Sequence, residues 1–201
     1  MKNSYLGLEN KGDTEVKYLS EEFRGEIKNN RRTYMNNIEK IEFESKDKFY
    51  NYLNMKLTGL ICEEPDWLAN LANASAVLWL LLEDINWAGF YLYKDSELVL
   101  GPFQGKPACT HISIGKGVCG TAAESRETQL VKNVHEFPGH IACDSASNSE
   151  IVVPVIKDGR LIGVLDIDSP VPGRFDETDK KHLERFVSII EKYVSFPESF
   201  I

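Results

Sequence analysis

The sequence predicts an α+β fold, a central antiparallel sheet with helices from the two ends of the chain packed on one side. Three observations predict it. Residues Ile151–Ile156 and Arg160–Leu165 are apolar runs joined by Asp158-Gly159, the pair favoured in a two-residue type I′ hairpin turn. A second aromatic and β-branched run, Trp87–Tyr93, is separated by Lys94-Asp95-Ser96-Glu97 from Leu98-Val99-Leu100 and reads as another hairpin. Helical periodicity lies outside these hairpins, before Ile85 and after Phe175.

Residues 1–43 are polar and rich in Asn. Val16, Leu19, Phe23 and Ile27 form a helical stripe interrupted by Gly25 and Asn29-Asn30, so this part reads as an N-terminal extension, partly helical. The folded domain is expected over residues 44–198. Behind Ser45 as N-cap, Phe49, Tyr52, Leu53, Leu57 and Leu60 recur at helical spacing. A second helix starts after Asp66 and carries Leu68, Leu71, Ala72, Ala76, Leu78, Trp79 and Leu82. Short strands are expected at His111–Ile114 and Gln129–Val131, with a small helix at Thr121–Glu124 between them. From Phe137 to Ser149 the composition is that of a loop, of a length that often carries function. Asp176 caps a last helix with Leu183, Phe186, Val187, Ile190 and Val194 on one face.

A chain of 201 residues with 42% hydrophobic side chains can bury a full core, as one domain with an appendage. Its net charge of -8 offers no field for nucleic acid or for an anionic membrane surface. The start has no apolar signal region and the run Ala76–Leu82 is too short to span a bilayer, so a cytoplasmic protein is expected. In a reducing compartment its 4 cysteines are candidates for catalysis or metal binding more than for a disulfide scaffold.

Three of the cysteines fall between Cys109 and Asp168, together with the other unusual local chemistry. Gly115-Lys116-Gly117-Val118-Cys119-Gly120 matches a dinucleotide fingerprint, but that fingerprint needs a parallel βαβ unit and the hairpins argue against one. What remains is a turn needed for packing, or a helix start whose backbone N–H groups, at Gly117 and Val118, suit a carboxylate or phosphate. Cys109, His111, Cys119, His135, His140 and Cys143 are of zinc-ligand type, yet they show no Cys-x-x-Cys or His-x-x-x-His pair and no metal is expected. Cys62 reads as a small buried hydrophobe, whereas Cys143 lies in a polar loop where a thiol is accessible. Asp166 and Asp168 flank Ile167 in an apolar strand and share one face by its period of two. With Glu150 they suggest a cation ligand, a carboxyl held protonated, or a solvated strand end. Trp87 and Tyr91 are core residues or the lining of a small apolar pocket.

Asn86–Tyr91, Gly101–Cys109, Gly115–Thr121, Gly139–Asp144 and Gly163–Asp168, taken in order, resemble the free methionine-(R)-sulfoxide reductases, enzymes built on a GAF domain. The resemblance covers roughly residues 45–195 and leaves the N-terminal extension outside. It implies a GAF fold for residues 44–198. It also implies Cys143 as catalytic thiol, Cys109 as the resolving thiol that forms a disulfide with it, and Cys119 in an auxiliary role. By the same likeness Glu150 and Asp168 polarise or protonate the sulfoxide oxygen, Asp166 holds the substrate ammonium, and Trp87 with Tyr91 receives the methyl end. The partners implied are free methionine-(R)-sulfoxide, thioredoxin supplied by NADPH through thioredoxin reductase, and a second copy of the chain in a homodimer, with no bound cofactor.

The chemistry agrees from first principles. A thiolate attacks the sulfoxide sulfur, the oxygen takes a proton, and the resulting sulfenic acid condenses with a second thiol. An external dithiol then reduces the disulfide. Two competing readings are a ligand-sensing GAF module without catalysis and a structural zinc-binding protein.

Overall fold

The computed structural model describes residues 38, 41–139 and 145–197. The expectation for residues 1–43 lies almost wholly outside them, as does Cys143. Helix α1 (Lys46–Ile61) begins where the Ser45 hydroxyl accepts a hydrogen bond from the Lys48 N–H. Helix α2 (Trp67–Leu81) begins at Asp66, whose carboxylate accepts from the Ala69 N–H at 2.8 Å. Strands β1 (Trp87–Lys94), β2 (Glu97–Gly105) and β3 (His111–Ser113) follow, then helix α3 (Gly117–Ser125) and strand β4 (Gln129–Val131). After a 3-10 turn at Val134–Glu136 come β5 (Ser149–Lys157), β6 (Arg160–Ser169) and helix α4 (Glu177–Tyr193). Asp176 and Asp179 close a capping box at the start of α4.

The strands form one antiparallel sheet in the order β3-β2-β1-β6-β5-β4. Both expected hairpins form. Asp95-Ser96 and Asp158-Gly159 adopt the positive φ angles that a type I′ turn requires. Strand β2 runs on past Leu100 to Gly105, further than residue type suggested, because its partner β1 is long enough to pair with it throughout.

Alternation along the strands gives the sheet two different faces. Ala88, Phe90, Ile151, Val153, Leu165 and Ile167 pack against Leu53, Leu57, Leu71, Leu78, Leu183, Phe186 and Ile190 of α1, α2 and α4. The helices from both ends of the described chain therefore share one side, as the sequence predicts. A buried Asp179 ties their ends together, accepting from the Tyr50 hydroxyl at 2.6 Å and from Lys46 Nζ at 2.5 Å. Trp87, Tyr91, Val152 and Val164 point the other way, toward Val118, Cys119 and Ala122 of α3 and toward Val134. At the sheet centre, a Cβ on Gly163 would stand 2.1 Å from the Tyr91 carbonyl oxygen, so only glycine lets β6 lie this close to β1.

Two expectations need correction. The buried face of α2 is Leu71, Ala74, Ser75, Val77, Leu78 and Leu81, while Leu68 and Trp79 are 49% and 41% exposed. This helix is apolar on almost every side, so periodicity could not select its face. Cys62 is half-buried at the C-cap of α1, donating its backbone N–H to the Thr58 carbonyl, and not enclosed as a core hydrophobe.

Candidate active site

The second face carries a cleft, partly open to solvent, between the sheet centre, the β2–β3 connection and the start of α3. Its floor is a row of side chains across three strands. Trp87 on β1 pairs with Asp168 on β6, and Asp168 pairs with Glu150 on β5. Asp166, two residues along β6, opposes Gly89 and Val152 in the next row. The three carboxyls share a face because of an irregularity in the β5–β6 hairpin. Near the turn Lys157 pairs with Arg160 and Ile156 with Leu161, a register that would bring Glu150 opposite Ile167. A bulge between Val155 and Ile156 shifts the pairing by one residue, and Glu150 comes to face Asp168 instead.

Glu150 and Asp166 are each only 6% exposed, and Asp168 is half-buried. Burial pushes the Glu150 carboxyl well above the usual carboxylate range, and the nearby Asp166 and Asp168 push it further. Burial likewise raises Asp166, to about 7. Two like charges this close in a poorly solvated place do not both ionise, so the pair retains a proton near neutral pH. Cys119, on the first turn of α3, donates its thiol toward Glu150 Oε1 at 3.9 Å. Burial first, and then Asp166 and Glu150, raise this thiol well above its ordinary value and keep it protonated. A neutral buried thiol is a poor nucleophile, so Cys119 suits a supporting part. Burial and then Asp166 also raise the Tyr91 phenol, which donates to the Cys109 carbonyl at 3.1 Å.

Cys109 is disulfide-bonded, while Cys62 and Cys119 are free thiols. Trp87 stacks on Tyr91 and Phe103, with ring centroids 5.7 and 5.2 Å away. Gly117 enters α3 at a φ of 60°, and its N-cap Lys116 contributes no side-chain acceptor. The first N–H groups of α3 are thus left for other partners, at Gly117 and Val118, which line the cleft. Lys106, Pro107 and Lys116 on the rim, and Phe103 behind Trp87, are parts that residue type alone did not single out. Their signal was proximity in sequence to Cys109 and Trp87.

The zinc-type residues do not assemble among those described: His111 binds Glu97 at 2.8 Å and His135 binds Asn148 at 2.9 Å. A different set does come together. Single donor atoms of Cys119, Glu150 and Asp166 lie within 4.8 Å of one another, one sulfur and two carboxylate oxygens.

Because Asp166 titrates near 3.8 when solvated and at about 7 when folded, the native state holds a proton that the unfolded chain releases. Its contribution to stability is complete below about pH 4 and is lost as pH rises through about 7. Melting curves across this window should show the parent losing stability with rising pH relative to Asp166→Asn, which keeps the shape and cannot ionise. Parallel pH dependence of the two would contradict the shift.

The GAF domain family model matches residues 74–194. The chain is 54% identical over 149 residues to protein YtsP of Bacillus subtilis, covering 73% of this chain and 91% of that protein. It is 53% identical over 151 residues to the free methionine-R-sulfoxide reductase of Escherichia coli, covering 75% and 92%. Among solved structures, fRMsr of Staphylococcus aureus in its reduced form superposes with a TM-score of 0.71 at 57% identity, over 73% of this chain and 95% of that one. The free methionine-R-sulfoxide reductase of Neisseria meningitidis, in complex with its substrate, superposes with a TM-score of 0.72 at 46% identity, over 78% and 95%. No helix among the described residues is long and apolar enough to cross a membrane. With its GAF fold, its buried carboxyl row and these likenesses, the chain belongs to the free methionine-R-sulfoxide reductases, a family of oxidoreductases.

Proposed function

We propose that this protein reduces free L-methionine (R)-S-oxide to L-methionine with its own thiols. The Cys143 thiolate attacks the sulfoxide sulfur while Glu150 and Asp168 polarise the oxygen and deliver a proton to it. The S–O bond breaks, methionine leaves, and the oxygen stays on Cys143 as sulfenic acid. Cys109 then displaces that oxygen as water and closes a disulfide, and the dithiol of thioredoxin, kept reduced by NADPH through thioredoxin reductase, exchanges with the disulfide to restore both thiols. Two thiols thus give up two electrons to one sulfoxide, and no bound cofactor takes part.

The observation that carries this reading is the burial of Glu150 and Asp166 together on the floor of the cleft, each 6% exposed, which favours a retained proton. A leaving sulfoxide oxygen needs an acid that is still protonated at neutral pH, and ordinary carboxyls are not. The neutral Cys119 thiol beside Glu150 fits a part in holding that acid. A free amino acid presents both an ammonium and a carboxylate, and the site offers Asp166 to the first and the N–H groups of Gly117 and Val118 to the second. The cleft face of Tyr91 receives the apolar end. Residues 44–198 are proposed as the functional GAF domain, with residues 1–43 as an appendage to it.

We also propose that the protein pairs as a homodimer, with the exposed Leu68 and Trp79 of α2 at or near the contact. Sedimentation at micromolar concentration should give a dimer, and a monomer at all concentrations would refute the pairing. The reaction is tested by thioredoxin-coupled NADPH oxidation with free L-methionine (R)-S-oxide. Cys143→Ser should fall to background and Glu150→Gln should lose about 10²-fold or more in kcat, the range of a general acid. Activity surviving in Cys143→Ser would overturn the thiol assignment.

A further inference from the structure

We propose that Glu191, in the last turn of α4, is a positioning residue for the acid of the cleft: it holds the bulge of the β5–β6 hairpin and so keeps Glu150 on one face with Asp166 and Asp168. The inference rests on the reading of Glu150 as proton donor given above. It extends that reading to a side chain that does not line the cleft.

The bulge consists of one residue. Val155 pairs with Gly163 and Ile156 with Leu161, so Ile162 of β6 is passed over. Because side chains alternate along a strand, one extra residue reverses the facing of everything beyond it. Leu161 and Val164 accordingly pack together on the cleft side, while Ile162 and Leu165 pack under the helices. Without the extra residue, Glu150 and the two aspartates would lie on opposite faces of the sheet, and the carboxyl row would not exist.

Ile156, the residue of β5 at the bulge, donates its backbone N–H to Glu191 Oε1 at 2.6 Å. Strand β4 pairs with β5 only over Glu150–Val152, so at Ile156 an acceptor comes from a helix side chain where a neighbouring strand would otherwise supply one. The next residue is fastened to the same place, since Lys157 Nζ donates to the carbonyl of Val194, the C-cap of α4, at 2.6 Å. The helix end is itself fixed, because Phe186, Val187 and Ile190 are buried in the core. On the other strand, Gly163 lets β6 lie against β1 at a distance that no Cβ would permit. The bulge is therefore gripped from both sides: β6 by its approach to β1, and β5 by Glu191. Loosening the second grip leaves Glu150 less well placed over the reacting oxygen, and small misplacements of a catalytic group are costly in rate.

The test separates an acceptor at position 191 from mere packing. Glu191→Gln keeps a carbonyl oxygen for the Ile156 N–H, whereas Glu191→Leu keeps bulk without an acceptor. In turnover of free L-methionine (R)-S-oxide the Leu variant should lose about tenfold in kcat with KM within about twofold, and the Gln variant should stay within about twofold of the parent in both. Val187→Ala, which thins the packing of the same helix, should lower Tm and leave kcat unchanged. Nuclear Overhauser contacts between the backbones of Glu150 and Asp168, which need no turnover, should weaken in the Leu variant and persist in the Gln variant. Parental kcat in Glu191→Leu, equal losses in the Leu and Gln variants, or a kcat loss shared by Val187→Ala overturns the proposal. Should Glu191→Leu not fold, Glu191→Met is judged by the same measurements. If the parent does not turn the sulfoxide over while the Overhauser contacts respond as stated, the substrate reading fails and the hold of Glu191 on the register is upheld.

Discussion

Two carboxyl groups buried side by side at the centre of the sheet are the constraint on which the rest of this structure depends. Glu150 and Asp166 sit on neighbouring central strands, each nearly closed off from solvent. Ionising both there would cost several kcal/mol per charge, so the site keeps a proton. An arrangement of that cost survives only on a rigid support. The opposite face of the same strands supplies it, because Ile151, Val153, Leu165 and Ile167 are locked under α1, α2 and α4. Packing energy gathered on one face holds strained electrostatics on the other.

The same constraint sorts the sulfur chemistry. Cys119 lies closest to the carboxyls and is thereby kept a neutral thiol, unsuited to attack. A nucleophilic thiol has to stand away from this negative field. Cys109, reached by the Tyr91 hydroxyl and already in a disulfide, stands beside the cleft-lining Ala108.

Much of this was legible in the sequence because local chemistry dictated it. Asp158-Gly159 fixed a type I′ turn, Ser45, Asp66 and Asp176 fixed helix starts, and the period of two placed Asp166 and Asp168 on one face. The motifs around Trp87, Cys109 and Gly115 pointed to the family. Other parts depended on tertiary context. The inward face of α2 was hidden because Leu68, Leu71, Ala72, Leu78 and Trp79 are all apolar, and the choice among them is made by the sheet it meets. That Glu150 joins the two aspartates was not readable from spacing either. An unbroken hairpin would have turned Glu150 to the helix-covered face with Ile167, and the bulge at Val155/Ile156 reverses this.

The central claim, that the buried pair of Glu150 and Asp166 holds a proton when the bulk solution is neutral, is open to direct observation by infrared spectroscopy. The carbonyl stretch of a protonated carboxylic acid is separate from that of a carboxylate. The account predicts that this acid band is present in the parent protein at neutral pH and disappears in the double variant Glu150→Gln, Asp166→Asn, which leaves neither carboxyl of the pair. A parent spectrum at neutral pH with no protonated carboxyl would contradict it.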